Sequence, residues 1–249
     1  MKVRNYVALG LGSFLMFVIA LFPANLVWKG MASTVSPMVP GKVQSVGGTL
    51  WDGFVVIDLK FGAINTRYLA KWNTHPLNLL LGEVSIELSM ESEGFILSGG
   101  GYVGVFGKGI QELTGHVSAS LAESLLTEFG VRIDEGLSLE NVTVTMSGDT
   151  ISEATGSISW KGGSVGYSIA GSSQTVDFPG VLGTLSENEG TLRLALIETK
   201  GNQPLGEAML RSDGIGGVKV LQRVMTIAGI SSSPGDDDNV LVNIQRPVF

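Results

Sequence analysis

From Glu83 to Glu91 the chain reads E-V-S-I-E-L-S-M-E, with every second residue apolar and the residues between them charged or hydroxylated. An α-helix, with its period of 3.6, cannot sort these side chains onto one face. A β-strand does so directly, sending Val84, Ile86, Leu88 and Met90 to one side. The same period returns at Val55, Ile57, Leu59 and Phe61, at Val142, Val144 and Met146, at Leu192, Leu194 and Leu196, and at Val240, Val242 and Ile244. Strands covered on both faces, as in parallel sheets, read as unbroken apolar runs instead. The alternation therefore predicts a mainly β fold, a largely antiparallel sheet shaped as a curled sheet, roll or sandwich. The 35 glycines, spread without a collagen period, fit short strands and many turns.

Two segments depart to a helical period. Residues 121–129 place Leu121, Leu125, Leu126 and Phe129 on one side and stop at Gly130. Residues 218–228 place Val218, Leu221, Val224, Met225 and Ala228 on one stripe and stop at Gly229. Both are predicted as short helices lying on the sheet.

The N-terminus is of another kind. Residues 5–28 hold 24 residues without a charge, nearly all apolar or small between 6 and 22. About 20 such residues cross a bilayer core as a helix. Lys2 and Arg4 precede the run, which by the positive-inside tendency puts the N-terminus in the cytoplasm. Trp28 and Lys29 close it with the side chains that suit a membrane interface. The predicted organisation is a cytoplasmic segment 1–5, a transmembrane helix 6–28 and a β-rich periplasmic domain 29–249, in the bacterial inner membrane. Residues 24–39 carry the helix a turn or two further before Pro37 and Pro40. A cleaved signal peptide is the alternative, with a small-x-small site at Gly30-Met31-Ala32. That site lies about ten residues past the densest apolar stretch, far for a signal peptidase.

Charge and composition exclude several functions. Three of the 16 basic side chains precede Gly30, so residues 30–249 carry 13 basic and 23 acidic groups, a net charge of −10. Such a domain has no electrostatic footprint for nucleic acid or anionic lipid headgroups. With no cysteine there is no disulfide framework, thiol nucleophile or thiolate metal site.

The remaining candidates for chemistry dissolve on context. Gly99-x-Gly101-x-x-Gly104 matches the dinucleotide fingerprint as a string, but no helix-forming segment follows, and Gly107 and Gly109 continue the glycines through a β-like stretch. Gly107-Lys108 is no phosphate loop, because Tyr102 stands where the first glycine belongs. His75 and His116 lack partners at metal-ligand spacing, and no G-x-S-x-G elbow exists. Asp236-Asp237-Asp238 follows a small-residue loop and lacks an EF-hand pattern, so it reads as a solvated acidic loop. Trp51 and Trp72 read as packing residues, with Trp51 predicted to point inward. Gly48-Thr49-Leu50-Trp51-Asp52-Gly53 also echoes residues 156–162 (G-S-I-S-W-K-G), a candidate internal repeat or a chance similarity.

Four stretches together resemble protein N of the type II secretion system. Gly48-Thr49-Leu50-Trp51-Asp52-Gly53 is similar to that family's Gly-Thr-Leu-Trp-x-Gly signature. Trp72 through Pro76-Leu77 to Leu81-Gly82-Glu83-Val84 is similar to its W-x-L-x-P…L-L-x-G stretch, with the departure that Thr74-His75 stand where a leucine and a variable residue are expected. Gly156 to Trp160 resembles its mid-domain strand. Residues 221–230 resemble its closing helix, with Ala228-Gly229 in place of leucine-glycine. The resemblance implies a non-enzymatic accessory component, without cofactor, whose partners are the inner membrane and other secretion-system proteins. A lipid-handling protein with an apolar β-trough is the second reading, since a trough and a closed core demand the same alternation.

Overall fold

A computed structural model describes residues 3–35, 41–61, 64–105, 107–126, 131–169, 172–229 and 237–247. Two helices lead, α1 (Val3–Ala20) and α2 (Ala24–Val35). Strands follow as β1 (Gly41–Gly48), β2 (Asp52–Phe61), β3 (Ile64–Thr74), β4 (Glu83–Glu91), β5 (Phe95–Gly104) and β6 (Gly107–Val117). Helix α3 (Ala119–Leu126) precedes β7 (Val131–Ile133), β8 (Leu137–Ser147), β9 (Thr150–Trp160), β10 (Gly163–Ile169), β11 (Ser172–Phe178) and β12 (Val181–Asn188). The chain closes with β13 (Thr191–Glu198), β14 (Pro204–Arg211), β15 (Ile215–Leu221), α4 (Arg223–Ile227) and β16 (Val240–Pro247).

Thirteen strands form one sheet in the order β1-β2-β3-β4-β5-β6-β8-β9-β12-β13-β14-β15-β16, and a second sheet runs β11-β10-β7. Every pairing is antiparallel. The register shows what the alternation is for. Residues directly opposite share a face, and one row can be followed across all thirteen strands: Val46, Val55, Ala70, Met90, Leu97, Gly115, Leu139, Ile158, Gly183, Leu196, Gly206, Val220 and Val242. No member is polar. The neighbouring row on the other face runs Phe54, Lys71, Ser89, Ser98 and Thr114, then resumes with Glu140, Ser157, Thr184, Ala195, Glu207, Lys219 and Asn243. A one-residue slip anywhere would exchange the two.

The apolar row alternates bulk with absence. At Gly183 a Cβ would stand 2.8 Å from Leu194 Cδ1 and 3.1 Å from Leu196 Cδ2, so neighbouring leucines already lie across it. A line of bulges crosses the middle of the sheet, at Ser98/Gly100 in β5, between Ile110 and Gly115 in β6 and at Glu140/Thr143 in β8. Glu112 and Asn141 take left-handed φ of 52° and 49° there. Bulges of this kind bend and twist a sheet locally.

A cover closes one end of the apolar face. Helix α3 buries Leu121 and Ala122 beside the turn at Gly94, and Tyr68 and Phe95 stack at 5.0 Å between ring centroids. The small sheet packs Phe178 on Trp160 at 6.2 Å and reaches α4 through Tyr167, whose hydroxyl donates to the Ala228 carbonyl at 3.0 Å. The opposite end is bare: Val84, Leu88, Val103 and Ile110 are each 39–62% exposed. The fold is thus an open, bent sheet with a partial cover, not a closed sandwich.

Three predicted helices differ from the observed ones. Residues 218–221 lie in β15, where Val218 pairs with both Ala208 and Ile244. V-K-V-L fits period two as well as 3.6, and two flanking strands outweigh a helix that would leave their edges open; only Arg223–Ile227 is helical. Helix α3 starts at Ala119 and ends at Leu126, and the rest of that prediction lies outside the described residues. The continuous span 6–28 is broken: α1 stops at Ala20 and α2 begins at Ala24, on either side of Pro23. Proline has no N–H for the helix ladder and restricts the residue before it. Among the described residues no helix is long and apolar enough to cross a membrane. The 18 residues of α1 rise about 27 Å, and every one of them whose exposure is described is exposed.

Candidate functional site

The turn between β1 and β2 carries the Gly48-Thr49-Leu50-Trp51-Asp52-Gly53 motif, and it closes on itself first. Thr49 N–H donates to the Asp52 carbonyl at 2.7 Å. The Thr49 hydroxyl oxygen accepts from the Asp52 N–H at 3.0 Å and the Trp51 N–H at 3.3 Å. Gly48 holds φ at 82°, the left-handed conformation that a side chain resists. Gly53 pairs with Trp72, and a Cβ on Gly53 would run into the Trp72 ring.

Locked in this way, the turn grips the end of α1. The Trp51 indole Nε1–H donates to the Ile19 carbonyl at 2.9 Å, and Leu50 N–H donates to the Phe22 carbonyl at 2.9 Å. Pro23 forms an isolated antiparallel bridge with Thr49. A helix C-terminus leaves carbonyls without intrahelical partners, and here the β-turn supplies two donors at the point where Pro23 ends the helix. β3 braces the turn from the other side: Trp72 Nε1–H donates to the Leu50 carbonyl at 3.2 Å, and Thr74 donates to the Trp51 carbonyl from its N–H at 2.6 Å and its hydroxyl at 3.2 Å. A 3-10 helix (Pro76–Leu81), opened by Pro76 and closed by Gly82 at φ 73°, leads into β4.

Six of the nine motif residues predicted from sequence therefore meet at one place, Gly48, Thr49, Leu50, Trp51, Gly53 and Trp72, while Pro76 and Gly82 bound the 3-10 helix that follows β3. Trp160 is elsewhere, buried under the small sheet, its indole donating to the Glu135 carbonyl at 3.2 Å. Behind the joint opens a cavity of about 370 Å³ lined by Leu50, Trp51, Trp72, Leu79, Val84 and Ile86, with Thr74, His75 and Ser85. Sequence reasoning placed Val84 and Ile86 on the apolar face but not in an open cavity.

Several sequence readings are corrected. Trp51 is not buried in a core; it is half-buried, lines the cavity and caps a helix. The acidic loop is not simply solvated: Asp238 Oδ1 receives Arg223 Nη2 at 2.8 Å, Asp237 Oδ2 lies 3.6 Å from Arg223 Nη1, and Asp237 Oδ1 accepts from the Thr226 hydroxyl at 2.9 Å. Together they tie α4 to the start of β16, while Asp236 lies outside the described residues. The proposed repeat has different backbones in its two copies, a turn at 48–53 and a strand ending at Trp160. The reading of Gly99, Gly101 and Gly104 as part of a glycine-rich strand holds: they lie in β5, which is followed by β6. His116 Nδ1 is 3.2 Å from Ser138 Oγ. Among the described residues no group of His, Asp and Glu could hold a metal ion. The ion pair of Asp58 with Arg67, 3.0 Å apart, holds the Asp58 carboxyl below its ordinary range, but it is an exposed pair of the kind that contributes little.

The family model described as "Type II secretion system (T2SS), protein N" matches residues 41–240. The chain belongs to the type II secretion system protein N family. The match takes in the joint turn, the bracing strand, the 3-10 helix and Trp160, and it starts at β1, after the two N-terminal helices. No curated protein and no solved structure matches the chain. As a protein N, it is an envelope-associated component of the secretion system and works beside that system's other proteins.

The joint carries a prediction. Trp51→Phe keeps an aromatic ring and removes the indole N–H, which should weaken the joint by about 0.5–1.5 kcal/mol. In hydrogen exchange the Leu50 amide should then exchange about 2- to 12-fold faster, with β12 and β13 unchanged. Equal Leu50 exchange in both proteins would show that the indole does not hold the helix end.

Proposed function

We propose that this protein N is a single-pass inner-membrane component that holds its β-sheet in the periplasm and supports export of folded proteins across the outer membrane without catalysing a reaction. One observation carries the reading: α1 exposes apolar side chains on all sides, among them Leu9 at 70%, Phe14 at 62%, Met16 at 75% and Phe17 at 64%. A helix that is apolar all round needs an apolar environment. Its apolar part from Tyr6 to Ala20 rises about 23 Å, short of the roughly 30 Å of a bilayer core by itself, and Leu21 and Phe22 extend the apolar run to about 26 Å. Trp51 then stands at the outer interface, the depth tryptophan favours, and the joint transmits the position of the membrane helix to the sheet. Lys2 and Arg4 belong on the cytoplasmic side.

Topology and role are tested together. A C-terminal alkaline phosphatase fusion should be active and a C-terminal green fluorescent protein fusion dark. A strain lacking the protein should retain its exported proteins in the periplasm, and His116→Ala should restore export as well as the parent does. The reverse fusion pattern would overturn the orientation. Lost export with His116→Ala at normal protein level would overturn the non-catalytic role.

A further inference from the structure

The cavity behind the joint has no part in the reading above, and its chemistry is one-sided. Leu50, Trp51, Trp72, Leu79, Val84 and Ile86 make its walls. Besides the His75 side chain, the polar lining groups are Thr74 and Ser85, and both already have partners. The Thr74 hydroxyl donates to the Trp51 carbonyl, and Ser85 Oγ accepts from Asn78 Nδ2 at 2.6 Å. Its volume of about 370 Å³ falls within the range of small-molecule sites.

Beside Val84 and Ile86 the apolar face stays open. On the apolar face β5 presents Gly101 between Ile86 of β4 and Ile110 of β6, and Val84 pairs with Val103 beside it. A strand that shows glycine between two apolar neighbours leaves a channel about one strand wide. Val84, Val103 and Ile110 are 51%, 62% and 48% exposed along it, and contiguous apolar exposure of this kind marks a binding surface. Two of the residues lining the cavity, Leu50 and Trp51, are those bonded to the end of α1.

We propose that this cavity and the Gly101 channel receive an acyl chain of a bilayer phospholipid. The inference rests on the membrane placement of α1 proposed above. That placement puts the Leu50 and Trp51 wall of the cavity at the edge of the hydrocarbon, where an acyl chain is the nearest apolar chain of suitable length. A chain leaving the bilayer beside Trp51 exchanges one apolar environment for another and covers residues that otherwise face water.

The test uses the full chain reconstituted in phosphatidylcholine vesicles carrying a phospholipid with a diazirine on its acyl chain. Irradiation is followed by digestion and mass spectrometry. Adducts are expected on α1 and on peptides holding Trp72, Leu79 and Val84. Two variants separate a site from chance contact. Val84→Glu places a carboxylate in the channel, and Gly101→Phe fills it; a Cβ at Gly101 meets only ordinary contacts at 3.6 Å. Each should lower the ratio of cavity to α1 adducts by about tenfold or more, the consequence of setting a charge or bulk against the chain. Adducts on α1 alone would overturn the acyl site and leave the membrane placement standing. Cavity adducts that neither variant reduces would also overturn it. An α1 without adducts would overturn the placement itself, and the acyl site with it.

Discussion

Trp160→Ala will lower the unfolding free energy by about 3–5 kcal/mol, the range for removing a buried large aromatic. Trp160 is 9% exposed. It sits on the apolar face of the large sheet, between Leu137 of β8 and Val181 of β12. Its ring packs on Phe178, and its indole satisfies the Glu135 carbonyl ahead of β8. Truncation leaves a cavity under the small sheet, removes an aromatic pair and orphans that carbonyl at once. A domain of ordinary stability has about 5–15 kcal/mol in total, so the variant keeps a reduced margin. Its Tm should fall by about 6–20 °C. Trp160→Phe retains the ring stack and should lose clearly less. Urea unfolding of both variants beside the parent measures this. A loss under about 1 kcal/mol for the alanine variant would mean that the small sheet does not depend on Trp160 for its seat.

On the membrane placement and export role proposed above, Phe17→Arg will abolish stable insertion and, with it, export. Phe17 lies inside the apolar run and is 64% exposed, so its replacement disturbs no packing in the protein. An arginine well inside a membrane helix costs about 2.5–3.5 kcal/mol on insertion scales, on a helix that is already short. The joint makes that loss consequential. Trp51 and Leu50 hold the sheet against the end of α1, so an α1 placed in the membrane would fix where the sheet stands as well as keep it nearby. In a strain lacking the protein, Phe17→Leu should restore export and Phe17→Arg should not. A domain expressed from residue 24 with a cleavable export signal should fail too, because it lacks the tether that raises local concentration. Full export by that detached domain would replace the anchored scaffold with a diffusible carrier.

Much of this molecule was legible as sequence. The strict alternations at Glu83–Glu91 and residues 192–197 determined strands and their apolar faces, because a period of two has one structural meaning. The Gly-Thr-Leu-Trp-x-Gly motif marked a special turn, and Pro23 stood in plain view as a helix breaker, though the uncharged run around it reads more strongly as one span. Where two periods fitted equally well, as at Val218 to Leu221, local pattern was powerless, and strand partners on both sides decided the matter. The tertiary structure alone decided that the apolar face is covered at Trp160 and open at Val84. Alternation states which side of a strand avoids water, but what lies against that side comes from residues distant in the chain. It decided likewise that Trp51 caps a helix instead of filling a core. A tryptophan's ring and its N–H serve either place, and only the arrival of the Ile19 carbonyl, 32 residues earlier, selects between them.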